Sequence, residues 1–118
     1  MSTLMIQQRK VMQNNKDVII LDLQGSLDAH SAPQLDSIIS LLANNNSYNL
    51  VINFAKLDYI SSAGMGLLVG WIDSFRSNNG DILIASLKQN VLKVFKILGF
   101  NKIFNIFDNE TQALAKFN

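Results

Sequence analysis

Residues 50–71 read LVINFAKLDYISSAGMGLLVGW, and the reading of this stretch decides the fold. Leu50–Phe54 is a short, β-branched-rich run, apolar enough for a strand buried on both faces. Beyond it the period changes. Gly64, Leu67, Leu68, Trp71, Ile72 and Phe75 recur at helical spacing up to the break RSNNGD at 76–81. Ser61 and Ser62 stand between the two patterns with almost nothing ionisable beside them.

The same alternation continues on both sides. VIILDLQG (18–25) and DILIAS (81–86) read as further strands, and LMIQQRKVM (4–12) as a weaker one joined to the first by the turn-like QNNKD (13–17), so that the two form a hairpin. Ser31-Ala32-Pro33-Gln34 has the form of a capping box with proline in the first turn. Leu35, Ile38, Ile39 and Leu42 then follow at i, i+3, i+4 and i+7, which predicts a helix. A third helix carries Val91, Val94 or Phe95, and Leu98, and stops at Gly99 in a left-handed cap. Asp108 or Asn109 caps a short last helix bearing Ala113, Leu114 and Phe117.

Strands alternating with helices imply right-handed crossovers and an α/β fold. Its sheet is mixed but mostly parallel, with four to five strands, an N-terminal hairpin and about four helices. In such a sheet the loops at the C-terminal ends of the parallel strands gather on one edge, where ligands and partners bind. Here those loops are GSLDAHS (25–31), AKLDYISS (55–62) and SLKQN (86–90), so both serines fall on that edge.

Composition narrows the function. With 118 residues, 48% hydrophobic and 16% charged, and no repeat or Pro/Gly-rich linker, the expectation is one domain over residues 1–118 with a proper core. A net charge of +1 and no basic cluster with interleaved aromatics disfavour direct nucleic-acid binding. No cysteine means no disulfide, thiolate metal site or cysteine nucleophile. MSTLMIQQRK lacks the apolar core of a signal peptide, and the longest apolar run, Ala63–Ile72, is too short to span a bilayer. The expectation is a cytoplasmic protein without membrane insertion.

Catalytic readings find little support. Ser62, His30 and Asp28 could compose a hydrolase triad on one edge, but neither serine sits in a G-x-S-x-G elbow and a lone loop histidine is more often incidental. One histidine and scattered carboxylates offer no metal-ligand spacing, and no cofactor is implied. GMGLLVG (64–70) runs G-x-G-x-x-x-G inside the helical pattern, where close packing of Gly66 and Gly70 on a neighbouring backbone explains it better than a dinucleotide. The serines themselves suggest a cap. One hydroxyl suffices to cap the helix, and the other is either a spare with no further role or, at a helix N-terminus that favours an added anion, a site suited to phosphorylation.

The ordered combination of motifs resembles the STAS domain family, in particular its bacterial anti-sigma factor antagonists. LVINFAKLDYISSAGMGLLVGW (50–71) is similar to the family's strand, linker, phosphoacceptor serine and apolar helix. IILDLQGSLDAHSAPQL (19–35) matches its strand, glycine and acidic loop through Gly25 and Asp28. ILIASLKQNVLKVFKILGFNKIFNIF (82–107) matches its closing strand, lysine-bearing helix and I-F segment. The resemblance implies a non-enzymatic partner switch. The unphosphorylated protein binds an anti-sigma factor that is itself a serine/threonine kinase and so releases a sigma factor. Phosphorylation ends the binding, and a PP2C-like phosphatase restores it. The acceptor falls on Ser62, with Ser61 as the alternative, and the partner-binding surface on Asp28, Ser61, Ser62, Ala63, Gly64 and Met65. The sequence departs from many members by having Ser61 where they carry aspartate and Ala63 where they carry a second hydroxyl. A constitutive STAS subunit of a transport or signalling complex would use the same edge without a phosphate.

Overall fold

The computed structural model describes residues 3–118; the first two residues of the MSTLMIQQRK stretch lie outside it. The elements follow in the order β1 (Leu4–Gln13), β2 (Lys16–Leu27), α1 (Ala32–Asn44), β3 (Asn49–Ile60), α2 (Ser62–Ser77), β4 (Asp81–Ala85), α3 (Gln89–Ile97), a 3-10 turn (Phe100–Lys102), β5 (Ile106–Phe107) and α4 (Glu110–Ala115). The five strands lie in the sheet in chain order, with β1 antiparallel to β2 and every later neighbour parallel. This is the mixed, mostly parallel α/β sheet with an opening hairpin and four helices that the alternation of patterns requires.

The hairpin turns on Asn14 and Asn15, at φ 51° and 66°, the left-handed pair that matches the twist of the flanking strands and that asparagine tolerates. Period-two alternation then sorts the side chains. Ile19, Leu21, Leu23, Leu50, Ile52, Phe54, Ile82 and Ile84 face the layer made by α1, α2 and α3, which contributes Leu35, Ile39, Met65, Leu68, Phe75 and Phe95 to the main core. Val18, Ile20, Val51, Leu83 and Ala85 face the other way, under Ala113 and Phe117.

Several boundaries differ from expectation. β3 runs to Ile60 and β2 to Leu27, so of the stretches read as loops, 25–31 and 55–62, residues 25–27 and 55–60 are strand. Two register shifts, at Asp22/Gln24 and Gly25/Ser26, let the paired strands continue past their apolar centres. β5, only two residues long, completes the sheet at its far side. Gly66 and Gly70 are exposed, and a Cβ at either would meet nothing within 4 Å; they are not packing glycines. Leu98, expected on the buried stripe of α3, is instead exposed together with Ile97, while Gly99 does adopt the left-handed stop at φ 78°.

A polar network holds β1 to the sheet and to α4. Arg9 bridges Asp22 on β2 and Glu110 at the start of α4, and Asn53 donates to Asp22 at 3.0 Å. The hydrogen bonds from Arg9, against some desolvation, hold the Asp22 carboxyl below the usual carboxylate range, and the same contacts raise the Arg9 pKa.

Candidate functional site

The two expected site loops leave the sheet side by side. Leu27 pairs with Ile60, and the Ser61 amide donates to the Leu27 carbonyl at 2.9 Å as the last bond between the strands. Asp28 and Ser61 therefore start their segments from adjacent backbone positions, and a surface containing both is fixed by strand pairing.

At α2 the serines divide the roles. Ser61 has extended backbone angles, and its Oγ accepts from the Gly64 amide at 3.3 Å, which makes it the N-cap. Ser62 is the first helical residue, is exposed, and makes no side-chain hydrogen bond among the described residues. The first turn of α2 holds no acidic residue, so the positive end of the helix dipole is met there by the Ser61 hydroxyl and not by a carboxylate of the helix itself.

Gly64 allows this helix start to sit against β2. A Cβ there would lie 2.8 Å from Leu27 Cγ and 2.9 Å from the Leu27 carbonyl oxygen. Gly64 is buried and Met65 has no solvent exposure, so two of the six residues expected on the partner surface lie beneath it. Met65 faces the core because it falls one turn from Leu68, on the apolar side of the helix. Ser62 and Ala63 are exposed, and Asp28 and Ser61 are partly buried.

The capping box at α1 does not form. Ser31 has helical backbone angles and its Oγ turns back, donating to the Ser26 carbonyl at 2.8 Å and accepting from the Asp28 amide at 3.0 Å. Gln34 instead donates to the Leu4 carbonyl on β1. The Asp28 carboxylate takes over, accepting from the amides of His30 at 3.0 Å and Ser31 at 3.1 Å. Asp28 is thus a structural residue of the 26–31 turn as well as a member of the candidate surface.

The third loop closes over the end of β3. Lys88 forms an ion pair with Asp58, and the Asn90 side-chain amide donates to the Asp58 carbonyl at 2.7 Å. Tyr59, beside them on β3, is 52% exposed. It is a large exposed ring, two residues before the candidate serines in the chain, that the apolar pattern alone does not single out, although its position directly before Ile60-Ser61 marks it.

Nothing in this geometry assembles a hydrolase. His30 is exposed and enters the hydrogen bonding only through its backbone amide, with no contact to either serine. Among the described residues no three His, Cys, Asp or Glu side chains come together in a way that could hold a metal ion, and no helix is long and apolar enough to cross a membrane.

Comparison with known proteins agrees with this architecture. BtrV of Bordetella bronchiseptica is 31% identical over 100 residues, covering 85% of this chain and 86% of its own. The anti-sigma F factor antagonist of Paenibacillus polymyxa is 26% identical over 109 residues, covering 89% and 91%. Among solved structures, the anti-sigma factor antagonist SpoIIAA superposes in its unphosphorylated form with a TM-score of 0.80 at 23% identity over 96% of each chain. The phosphorylated form of Bacillus SpoIIAA superposes at 0.72 and 22%, over 97% of this chain and all of that one. The family model for the STAS domain matches residues 9–113, from the middle of β1 into α4, and the chain belongs to the STAS domain family.

Proposed function

We propose that this protein is an anti-sigma factor antagonist whose unphosphorylated form binds an anti-sigma factor serine/threonine kinase in the cytoplasm and is released by phosphorylation of Ser62. The observation that carries the reading is the division of roles at α2: Ser61 is occupied as the cap, and Ser62 is exposed with an idle hydroxyl. The names of the relatives and the existence of SpoIIAA in both phosphorylated and unphosphorylated forms support it.

In the switching step the Ser62 Oγ attacks the γ-phosphorus of ATP held by the kinase. The bond to the β–γ bridging oxygen breaks, ADP leaves, and the hydroxyl proton passes to a base on the kinase. The product places about −1.5 to −2 charges where the α2 amides favour an anion, so the domain keeps its fold. The partner, by contrast, meets a charge in place of the neutral, exposed pair Ser62 and Ala63. Hydrolysis of the phosphoserine by a PP2C-like phosphatase restores binding. Asp28 and Ser61 border the contact surface, while Gly64 and Met65 shape it from below.

Mass spectrometry of the tryptic peptide Leu57–Arg76 from protein purified from its native cells tests the switch. Phosphate on Ser62 is expected, together with capture of an ATP-binding partner by Ser62→Ala and weakened capture by Ser62→Asp. A peptide unmodified across growth and stress conditions, with equal capture by wild type and both variants, would replace the switch with a constitutive docking module.

A further inference from the structure

The sheet has one long open edge. β1 pairs with β2 through all ten of its residues without a register shift, and among the described residues no strand lies on its other side. The opposite edge, β5, is only two residues long. Long edge strands are usually blocked by a proline, a bulge or an unpaired charge. β1 has no proline and no bulge, and both its charges are engaged within the chain: Arg9 with Asp22 and Glu110, and Lys10 with Asp17 at 3.5 Å.

The direction of each backbone group follows from the turn. Gln13 and Lys16 close a two-residue hairpin loop, so they form a hydrogen-bonded pair and the odd-numbered residues of β1 direct N–H and C=O toward β2. Two contacts agree with that parity: the Thr3 carbonyl accepts from Ser26, and the Leu4 carbonyl points outward to Gln34. The N–H and C=O groups of Leu4, Ile6, Gln8, Lys10 and Met12 therefore face away from the sheet.

We propose that this edge pairs with β1 of a second copy, antiparallel about a two-fold axis at Gln8, to give one continuous sheet across the dimer. An antiparallel two-fold perpendicular to a sheet keeps the faces of both copies aligned and pairs outward-directed residues with each other. Centred on Gln8, it sets Leu4 opposite Met12 of the second copy, Ile6 opposite Lys10, and Gln8 opposite itself. Between these, Met5 meets Val11 and Gln7 meets Arg9. No two like charges are opposed. Met5 and Met12, 64% and 66% exposed in the single chain, each gain an aliphatic neighbour. Centring on Arg9 would oppose two guanidinium groups, and centring on Gln7 would set Met5 against Arg9. The second lone pair of the Leu4 carbonyl serves the new contact while Gln34 keeps the first. The two-fold sends the Ser62 ends of the copies in opposite directions, so both candidate sites stay open.

A contact of one strand against another belongs with the small, transient interfaces, so dimerisation is expected to depend on concentration. Sedimentation velocity at ~10 µM and ~1 mM is expected to show the mass rising from one copy toward two, and a single 13.1 kDa species at both would overturn the proposal. Gln8→Pro removes an outward N–H without touching the β1–β2 ladder, and is expected to keep the chain folded and monomeric; a folded variant that still dimerises would overturn it. Because the chain has no cysteine, Gln8→Cys offers an independent reading that needs no stability argument. A short bis-maleimide is expected to join two copies through position 8, and not through Gln13→Cys. Cross-linking at position 13 alone would exclude this register.

Discussion

Ser61 and Ser62 are neighbours of one residue type with separate duties, and single substitutions tell them apart. Ser61→Ala removes the cap of α2 and is expected to lower stability by about 1 kcal/mol, whereas Ser62→Ala should leave the melting temperature unchanged. Thermal unfolding of the two variants side by side measures the difference. Gly64→Val forces a side chain into the Leu27 carbonyl and is expected to cost about 1–3 kcal/mol. Gly70→Ala fills open space on an exposed helix and should stabilise by ~0.5–1 kcal/mol. The contrast was only half legible in the sequence. Every glycine in GMGLLVG fits the helical pattern, and only the approach of Leu27, 37 residues earlier in the chain, separates a required glycine from a dispensable one. The same holds for Met65, an apolar residue beside a serine motif whose burial depends on which face of α2 meets the sheet. Asp22 adds a pH dependence. Its carboxyl is held low by Arg9, so the unfolded chain takes up the proton first as acid is added; the stabilisation is full above the unfolded value and is lost as pH falls through the folded one. Asp22→Asn should flatten that part of the acid unfolding curve followed by circular dichroism.

At the scale of elements, the sequence was most informative where period and punctuation agree. The α1 stripe of Leu35, Ile39 and Leu42 packs as its spacing requires, and Asn109 caps α4 by accepting from the Gln112 amide at 2.9 Å. It was least informative at ends. The S-x-x-Q pattern at Ser31 describes a possible cap, but the Ser26 carbonyl and the Asp28 amide lie close enough to claim the hydroxyl first. β3 outruns its apolar run because the bulged β2 offers it hydrogen-bonding partners as far as Leu27; beyond Asn53, where the pairing with β4 ends, only that side of β3 is paired, which leaves room for polar residues such as Lys56 and Asp58. α4 is short enough that its cap matters to its existence. Asn109→Ala is expected to cost about 1 kcal/mol and, in hydrogen exchange, to release amides of α4 while those of β2 and β3 remain protected.

For the whole molecule, the expected consequence of the proposed switch is that charge changes without shape. Ser62→Asp sits at an exposed helix N-terminus and should melt at or slightly above the wild-type temperature even as partner capture weakens; a large stability loss would instead trace the weakening to unfolding. The fold class was readable because after the opening hairpin strands alternate with helices, whereas the meeting of Asp58 on β3 with Lys88 and Asn90 at the start of α3 depends on two segments distant in the chain coming together in space. The sheet order carries one more consequence. Strands that are neighbours along the chain are neighbours across the sheet, so during synthesis each new strand finds its partner already outside the ribosome. The hairpin can form first, β3 and β4 add in turn behind their helices, and no strand has to insert between two that have already paired. Assembly in the order of translation keeps the growing side of the sheet open until β5 closes it, and needs no rearrangement of earlier pairings when the last residues arrive.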